Sequence, residues 1–253
     1  MVYINMSGDQ IKLMGNWRKI LNSRDRISGR NRDLEYSWDA YDKGLQDYSI
    51  FFEKVCPDKK AGLKLFVENT LSDRRGQAVG VDVGGPGLML FQGFDPNFFY
   101  KTIGAILLKR YEYSEILDEK HTIIEADCLK ARGLRRLKNS LGGDGKVDIL
   151  FERMLGGIKN YPASPEYLWS LLNNLYKLLR TGGMMFAQSP DLRGKEDKQN
   201  IQNWLDNLQN NSCGSLELKH ASMPSMVHNV PKEDVYEIIY LRKLEGAPDD
   251  LPR

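Results

Sequence analysis

From Gln77 onward, short apolar runs alternate with helical patterns, and this alternation constrains the fold more than any other feature of the chain. The runs Ala78–Val83, Thr102–Leu108, Thr122–Glu125, Val147–Phe151 and Met184–Gln188 have almost no internal polar residues. Strands that read this way are covered on both faces, as in a parallel sheet made of βαβ units. Between the last two runs, Pro165 to Arg180 places Leu168, Leu171, Leu172, Leu175, Leu178 and Leu179 on one face of a predicted helix, which Thr181-Gly182-Gly183 ends. A polar helix is predicted over Asp197–Leu208. Two further strands, Leu216–His220 and Val235–Leu241, are predicted to pair antiparallel at the sheet edge. The expected fold is therefore α/β, with a mostly parallel seven-stranded sheet and an antiparallel edge strand.

Upstream of Gln77 the pattern is different. Trp17 to Asp33 is basic and offers little to a core. It reads as a solvated segment or as an arm that contacts an anionic substrate or folds over a site. Tyr41, Leu45, Tyr48, Phe51 and Phe52 recur at helical spacing within Ser37–Val55, as do Leu63, Phe66, Val67 and Leu71 within Ala61–Leu71. Two amphipathic helices follow from this, and they either cover a pocket or pack on a sheet face. The division expected is an N-terminal helical segment or lid over 1–75, an α/β domain over 76–245 and a loose tail over 246–253.

Composition narrows the function classes. A chain of 253 residues with 41% hydrophobic and 28% charged residues can bury a real core. Its net charge of +2, from 36 basic and 34 acidic residues, gives no global case for nucleic acid or an anionic membrane. No secretory pattern opens the sequence, and no apolar run reaches the roughly 18 residues of a membrane helix, so a cytoplasmic location without membrane association is expected. Cys56, Cys128 and Cys213, and His121, His220 and His228, lack the spacing of a disulfide framework or a metal site, so no metal is expected.

The stretch with the most chemical content is Ala78 to Leu88, AVGVDVGGPGL. An apolar strand runs straight into Gly84-Gly85-Pro86-Gly87. At the carboxyl end of a parallel strand, glycines let main chain approach a ligand where a Cβ would collide. Asp82 stands just before the turn. The strand ending at Glu125 delivers Asp127 and Cys128 to the same rim, and the strand ending at Phe151 delivers Glu152 and Arg153. Each has a plain structural alternative: Asp127 as a helix N-cap, Glu152 and Arg153 as a mutual or surface ion pair.

These pieces, in this order, resemble the class I S-adenosylmethionine-dependent methyltransferases over Gln77 to Leu244. VGVDVGGPG is similar to that family's first motif, IIEADCL to its third strand and acidic turn, VDILFERM to its fourth strand, and LYKLLRTGGMMFAQ to its helix, Gly-Gly turn and fifth strand. The resemblance implies a Rossmann-like methyltransferase fold that binds S-adenosylmethionine. It implies cofactor contacts at Asp82, Gly84, Gly85, Gly87, Asp127, Cys128 and Glu152. By it Asp127 and the Cys128 backbone would meet the adenine, and the end of the fourth strand would lie beside the sulfonium. Two departures stand out. Pro86 and Leu88 fall where later glycines of the motif are expected, unless one loop residue is deleted. Lys109 and Arg110 end the second strand where the family commonly has a ribose-binding acid, and Glu112 is the nearest acid.

Methyl transfer requires in-line positioning of an acceptor and exclusion of water. Glu152 is the candidate base, and Arg153 the candidate contact for an acceptor carboxylate or phosphate. The acceptor itself and the oligomeric state are not legible. Two rivals remain in view. One is a methyltransferase-like binding module without activity, holding RNA through Arg24, Arg26, Arg30 and Arg32. The other is an NAD(P)-dependent oxidoreductase, with Lys109 and Arg110 meeting a 2′-phosphate, though Gly84-Gly85-Pro86-Gly87 is not a Gly-x-Gly-x-x-Gly.

Overall fold

In the computed structural model, which describes residues 43–106, 119–126, 128, 131–152, 165–189, 192, 194–212, 214–224 and 235–252, seven strands form one sheet in the order β3-β2-β1-β4-β5-β7-β6. They are β1 (Ala78–Val83), β2 (Phe99–Ile106), β3 (His121–Glu125), β4 (Val147–Glu152), β5 (Leu179–Gln188), β6 (Leu216–Pro224) and β7 (Val235–Lys243). β1 pairs parallel with β2 and β4, β2 with β3, and β4 with β5. β7 is antiparallel to both β5 and β6, so the reversed strand is inserted next to the edge and β6 forms the edge itself. The helices are α1 (Leu45–Phe52), α2 (Gly62–Thr70), α3 (Leu88–Gln92), α4 (Ala131–Leu141), α5 (Pro165–Tyr176) and α6 (Lys195–Asn211).

The helices divide between the two faces for a chiral reason. The β1–α3–β2 connection moves one way across the sheet, whereas β3–α4–β4 and β4–α5–β5 move the other way. Right-handed crossovers then place α3 on one face and α4 and α5 on the opposite one. A hydrophobic cluster on the α3 face joins Tyr48, Phe51 and Phe52 of α1 and Phe66 and Val67 of α2 to Ile149, Phe151, Met184, Phe186 and Tyr240 of the sheet. Phe52 is fully buried, with its ring 5.3 Å from that of Phe186, and the Phe66 ring lies 5.6 Å from Tyr240. The aromatic spacing in the N-terminal helices is thus core spacing, each ring contributing about 1.5–3 kcal/mol through burial. α6 lies on the other face, where Gln202 reaches Glu237, whose neighbours Tyr236 and Ile238 point into the cluster. At the amino end of the sheet the buried Asp148 carboxylate accepts from Val79 N at 2.8 Å, Arg74 Nε at 3.1 Å and Arg180 Nε at 3.2 Å, tying β1 to β4.

Several boundaries differ from the sequence expectation. α1 begins only at Leu45, where Asp47 accepts a hydrogen bond from Gly44 N at 3.1 Å; Tyr41 is outside the described residues. The helix predicted to run to Arg180 stops at Tyr176. Leu178 and Leu179 leave it because the sheet claims them: Val147 N donates to Leu178 O at 2.8 Å and Leu179 pairs with Val147. Gly182, at φ +83°, consequently lies inside β5 rather than ending a helix. β6 and β7 run beyond their apolar stretches because their mutual ladder continues from Leu216↔Lys243 to Pro224↔Val235. The short α3 and the basic α4 were not singled out from the sequence.

The tail is not loose. Trp169 Nε1 donates to Leu251 O at 2.8 Å, Leu251 N donates to Asn173 Oδ1 at 2.7 Å, and Tyr176 Oη donates to Pro248 O at 2.9 Å. Its composition is polar, but α5 presents side chains that pair its backbone and bury Leu251. Among the described residues no helix is long and apolar enough to cross a membrane, and no group of His, Cys, Asp or Glu is arranged to hold a metal ion.

Candidate functional site

β1 ends at the place where the strand order reverses. One neighbour, β2, follows it in sequence, while the other, β4, begins a run in the opposite direction. Open α/β sheets bind ligands outside the carboxyl ends of the strands at such a switch point. There Val83 pairs with Glu152, so the glycine turn and the candidate acid leave the sheet side by side. Gly84 N donates to Ala105 O at 2.9 Å, carrying the β1–β2 ladder one residue further. Gly84 has φ +95° and Gly87, the N-cap of α3, has φ +73°. Both conformations favour glycine and explain how the chain turns sharply out of the sheet.

The interior of that turn is filled by protein. Asp82 is 1% exposed, and Tyr48 Oη of α1 lies 2.8 Å from each of its carboxylate oxygens, donating to them. A Cβ on Gly85 would stand 2.2 Å from Asp82 Oδ2, and one on Gly87 would stand 2.8 Å from Asp82 Cβ. These two glycines make room for the Asp82 side chain. On the neighbouring strand, a Cβ on Gly104 of β2 would fall 1.8 Å from Pro86 O. His121 Nε2 also lies 2.9 Å from that carbonyl, and His121 Nδ1 lies 2.8 Å from Thr102 Oγ1. Because a carbonyl only accepts, Nε2 carries the proton, and in the neutral ring Nδ1 accepts from the threonine hydroxyl. The turn is thus packed against the Asp82 side chain and bonded through Pro86 O to His121.

Glu152 is fully buried, which removes the surface ion-pair reading for it. Its Oε2 accepts from Gln188 N at 2.9 Å, fixing the carboxyl ends of β4 and β5 to each other. Gln188 is 2% exposed and its Oε1 has no hydrogen-bond partner. Cys128 is buried. Asp127, Arg153, Lys109, Arg110, Glu112, Arg24, Arg26, Arg30 and Arg32 lie outside the described residues.

The structure brings Asp82, Gly84, Gly85, Gly87 and Glu152 to one rim. Tyr48 and Gln188 join them there, and neither was recognised from sequence, because Tyr48 reads as core and Gln188 as the last residue of an apolar strand. Gly104 did carry a signal: a glycine inside a strand marks close approach by another backbone. Toward a cofactor with a polar tail this rim offers one unpaired buried acceptor, Gln188 Oε1, two strands from the glycine turn; the turn itself is buried, and Gly84 N is already given to Ala105 O.

No family model matches the sequence, and no curated protein matches it. Solved structures do. The N-methyltransferase NodS from Bradyrhizobium japonicum WM9, in complex with S-adenosyl-L-homocysteine, is 10% identical, with 84% of this chain and 93% of that chain covered at a TM-score of 0.43. An rRNA methylase from Streptococcus thermophilus is 14% identical, with 70% and 94% covered and a TM-score of 0.40. A putative tRNA (m1A22) methyltransferase from Streptococcus pneumoniae, in complex with S-adenosyl-L-methionine, is 14% identical, with 72% and 73% covered and a TM-score of 0.37. The fold rests on the strand order and directions themselves. The chain has a Rossmann-like α/β fold, with a mostly parallel seven-stranded sheet and an antiparallel pair at one edge.

Proposed function

We propose that this chain binds S-adenosylmethionine at the carboxyl ends of β1 and β4 and transfers its methyl group to an acceptor. The observation that carries the reading is the glycine turn at the switch point, with Glu152 paired to the residue before it. The bound cofactor supplies an electrophilic methyl group on a sulfonium, ready for in-line attack. Asp82, held by Tyr48, keeps the glycine turn in shape. By the resemblance, Asp127 and the Cys128 backbone hold the adenine. Glu152, buried and bonded to Gln188 N, would orient the acceptor and take its proton. The test is calorimetry with S-adenosylhomocysteine and NADPH side by side. Binding of the first and not the second is expected. Tight NADPH binding without S-adenosylhomocysteine binding would replace the reading with an oxidoreductase.

A second reading, nucleic-acid binding, is favoured by one observation. On α4, Arg132, Arg135, Arg136 and Lys138 are all exposed and the helix contains no acid. α4 also starts at the carboxyl edge of β3, the edge that carries the glycine turn. Neutralising Arg132, Arg135 and Arg136 together should lower the salt dependence of RNA binding by about 0.7–0.9 log units per lost phosphate contact. An unchanged slope in fluorescence anisotropy would exclude this surface.

A further inference from the structure

We propose that Gln188 is an acceptor-binding residue, whose side-chain carbonyl receives a hydrogen bond from the N–H or O–H group that is to be methylated. This rests on the cofactor site proposed above and names the chemistry of its second substrate. Among the described residues, Gln188 Oε1 is the only buried side-chain oxygen or nitrogen without a hydrogen-bond partner. Native folds pair nearly all such atoms, and an exception points to a donor supplied from outside the chain.

Its place in the sheet points the same way. Asp82 pairs with Phe151, and Phe151 with Phe186. Two residues further along each strand, Gly84 and Gln188 therefore share a row at the carboxyl edge, two strand spacings or about 10 Å apart. Strand alternation puts Gln188 on the same face as Asp82 and Phe186, the face covered by α1. The backbone there is fixed on both sides: Gln188 N donates to Glu152 Oε2 at 2.9 Å, and Ser189 N donates to Glu237 O at 2.8 Å. The strand that carries the side chain is therefore fixed, and the side chain is 2% exposed. A cofactor bound at the carboxyl edge of β1 and β4 would supply the methyl group, and Gln188 on β5 would then hold the incoming nucleophile. A carbonyl can align an amine, amide or hydroxyl.

The probe is sinefungin, in which an amine-bearing carbon replaces the methylsulfonium and so places N–H donors where the methyl group would be. Calorimetry on the full chain compares sinefungin with S-adenosylhomocysteine, which lacks that amine. Gln188→Met should weaken sinefungin by about tenfold, the worth of one buried hydrogen bond, and leave S-adenosylhomocysteine within about twofold. Gln188→Glu, which keeps an acceptor oxygen, should retain the sinefungin preference and guards against a Met variant that fails to fold. If the ratio of the two affinities is the same in wild type and Gln188→Met while the melting temperature falls, the carbonyl holds only a structural water and the inference is wrong. If the wild-type chain binds neither ligand, the cofactor site itself is refuted and this assignment with it.

Discussion

Tyr48→Phe is the sharpest probe of how the glycine turn is built. The substitution removes one oxygen and leaves the ring, which keeps its edge-on contact with Phe151 at 5.4 Å and its contact with Phe52 at 6.4 Å. What is lost is a hydroxyl 2.8 Å from both oxygens of a carboxylate that is 1% exposed. A hydrogen bond to a charged group contributes about 1.5–3 kcal/mol, and the Asp82 charge remains buried after the loss. At about 2–4 °C per kcal/mol for a domain of this size, the melting temperature should fall by about 3–12 °C. Because Asp82 fills the interior of the turn at Gly85 and Gly87, S-adenosylhomocysteine affinity should fall in the same variant. Urea titration of Tyr48→Phe, Asp82→Asn and the double variant gives the coupling between the two groups, expected at about 0.5–3 kcal/mol. A destabilisation under about 0.5 kcal/mol, or a coupling energy near zero, would show that Tyr48 does not hold Asp82 and that the turn keeps its shape by other means.

Three further outcomes are expected. Gly104→Ala places a methyl group 1.8 Å from Pro86 O, a backbone atom, so the variant should lose at least about 1–3 kcal/mol in a denaturant titration and bind S-adenosylhomocysteine poorly; wild-type values for both would mean that the turn does not rest on β2. Asn173→Ala removes the partner of Leu251 N and of Asp250, so limited proteolysis should trim the tail faster than in the wild-type chain, and identical digestion would show that α5 does not hold it. His220 has its pKa raised, first by its hydrogen bond to the buried Glu237 and also by Asp206, against the opposing effect of burial. The charged imidazole therefore stabilises the fold fully below its ordinary value of about 6.5, and that contribution disappears as pH rises through the raised pKa. The melting-temperature gap between wild type and His220→Gln should accordingly be widest in acid and narrow toward alkaline pH, and parallel curves would remove the ion pair from the account.

Legibility in the sequence followed the range of the interactions. β1, β4 and the carboxyl end of β5 could be read because strands buried on both faces must be continuously apolar, and Ala78–Val83 and Val147–Phe151 are. The turn at 84–87 could be read because a left-handed backbone needs glycine. The end of α5 could not, because Leu178 and Leu179 suit a helix and a strand equally, and the choice was made by Val147, some thirty residues earlier. The tail looked loose because its anchors, Trp169, Asn173 and Tyr176, lie far from it in the chain.

The same division holds at the site. Local composition alone determined that a strand would end in a glycine turn, since that depends on apolar periodicity and on main-chain conformations available only without a Cβ. Only the tertiary structure decided what the glycines accommodate, which tyrosine holds Asp82, and that Gln188 is left with an unpaired carbonyl. Those facts depend on which strands become neighbours, and strand neighbours are chosen by packing across the whole sheet.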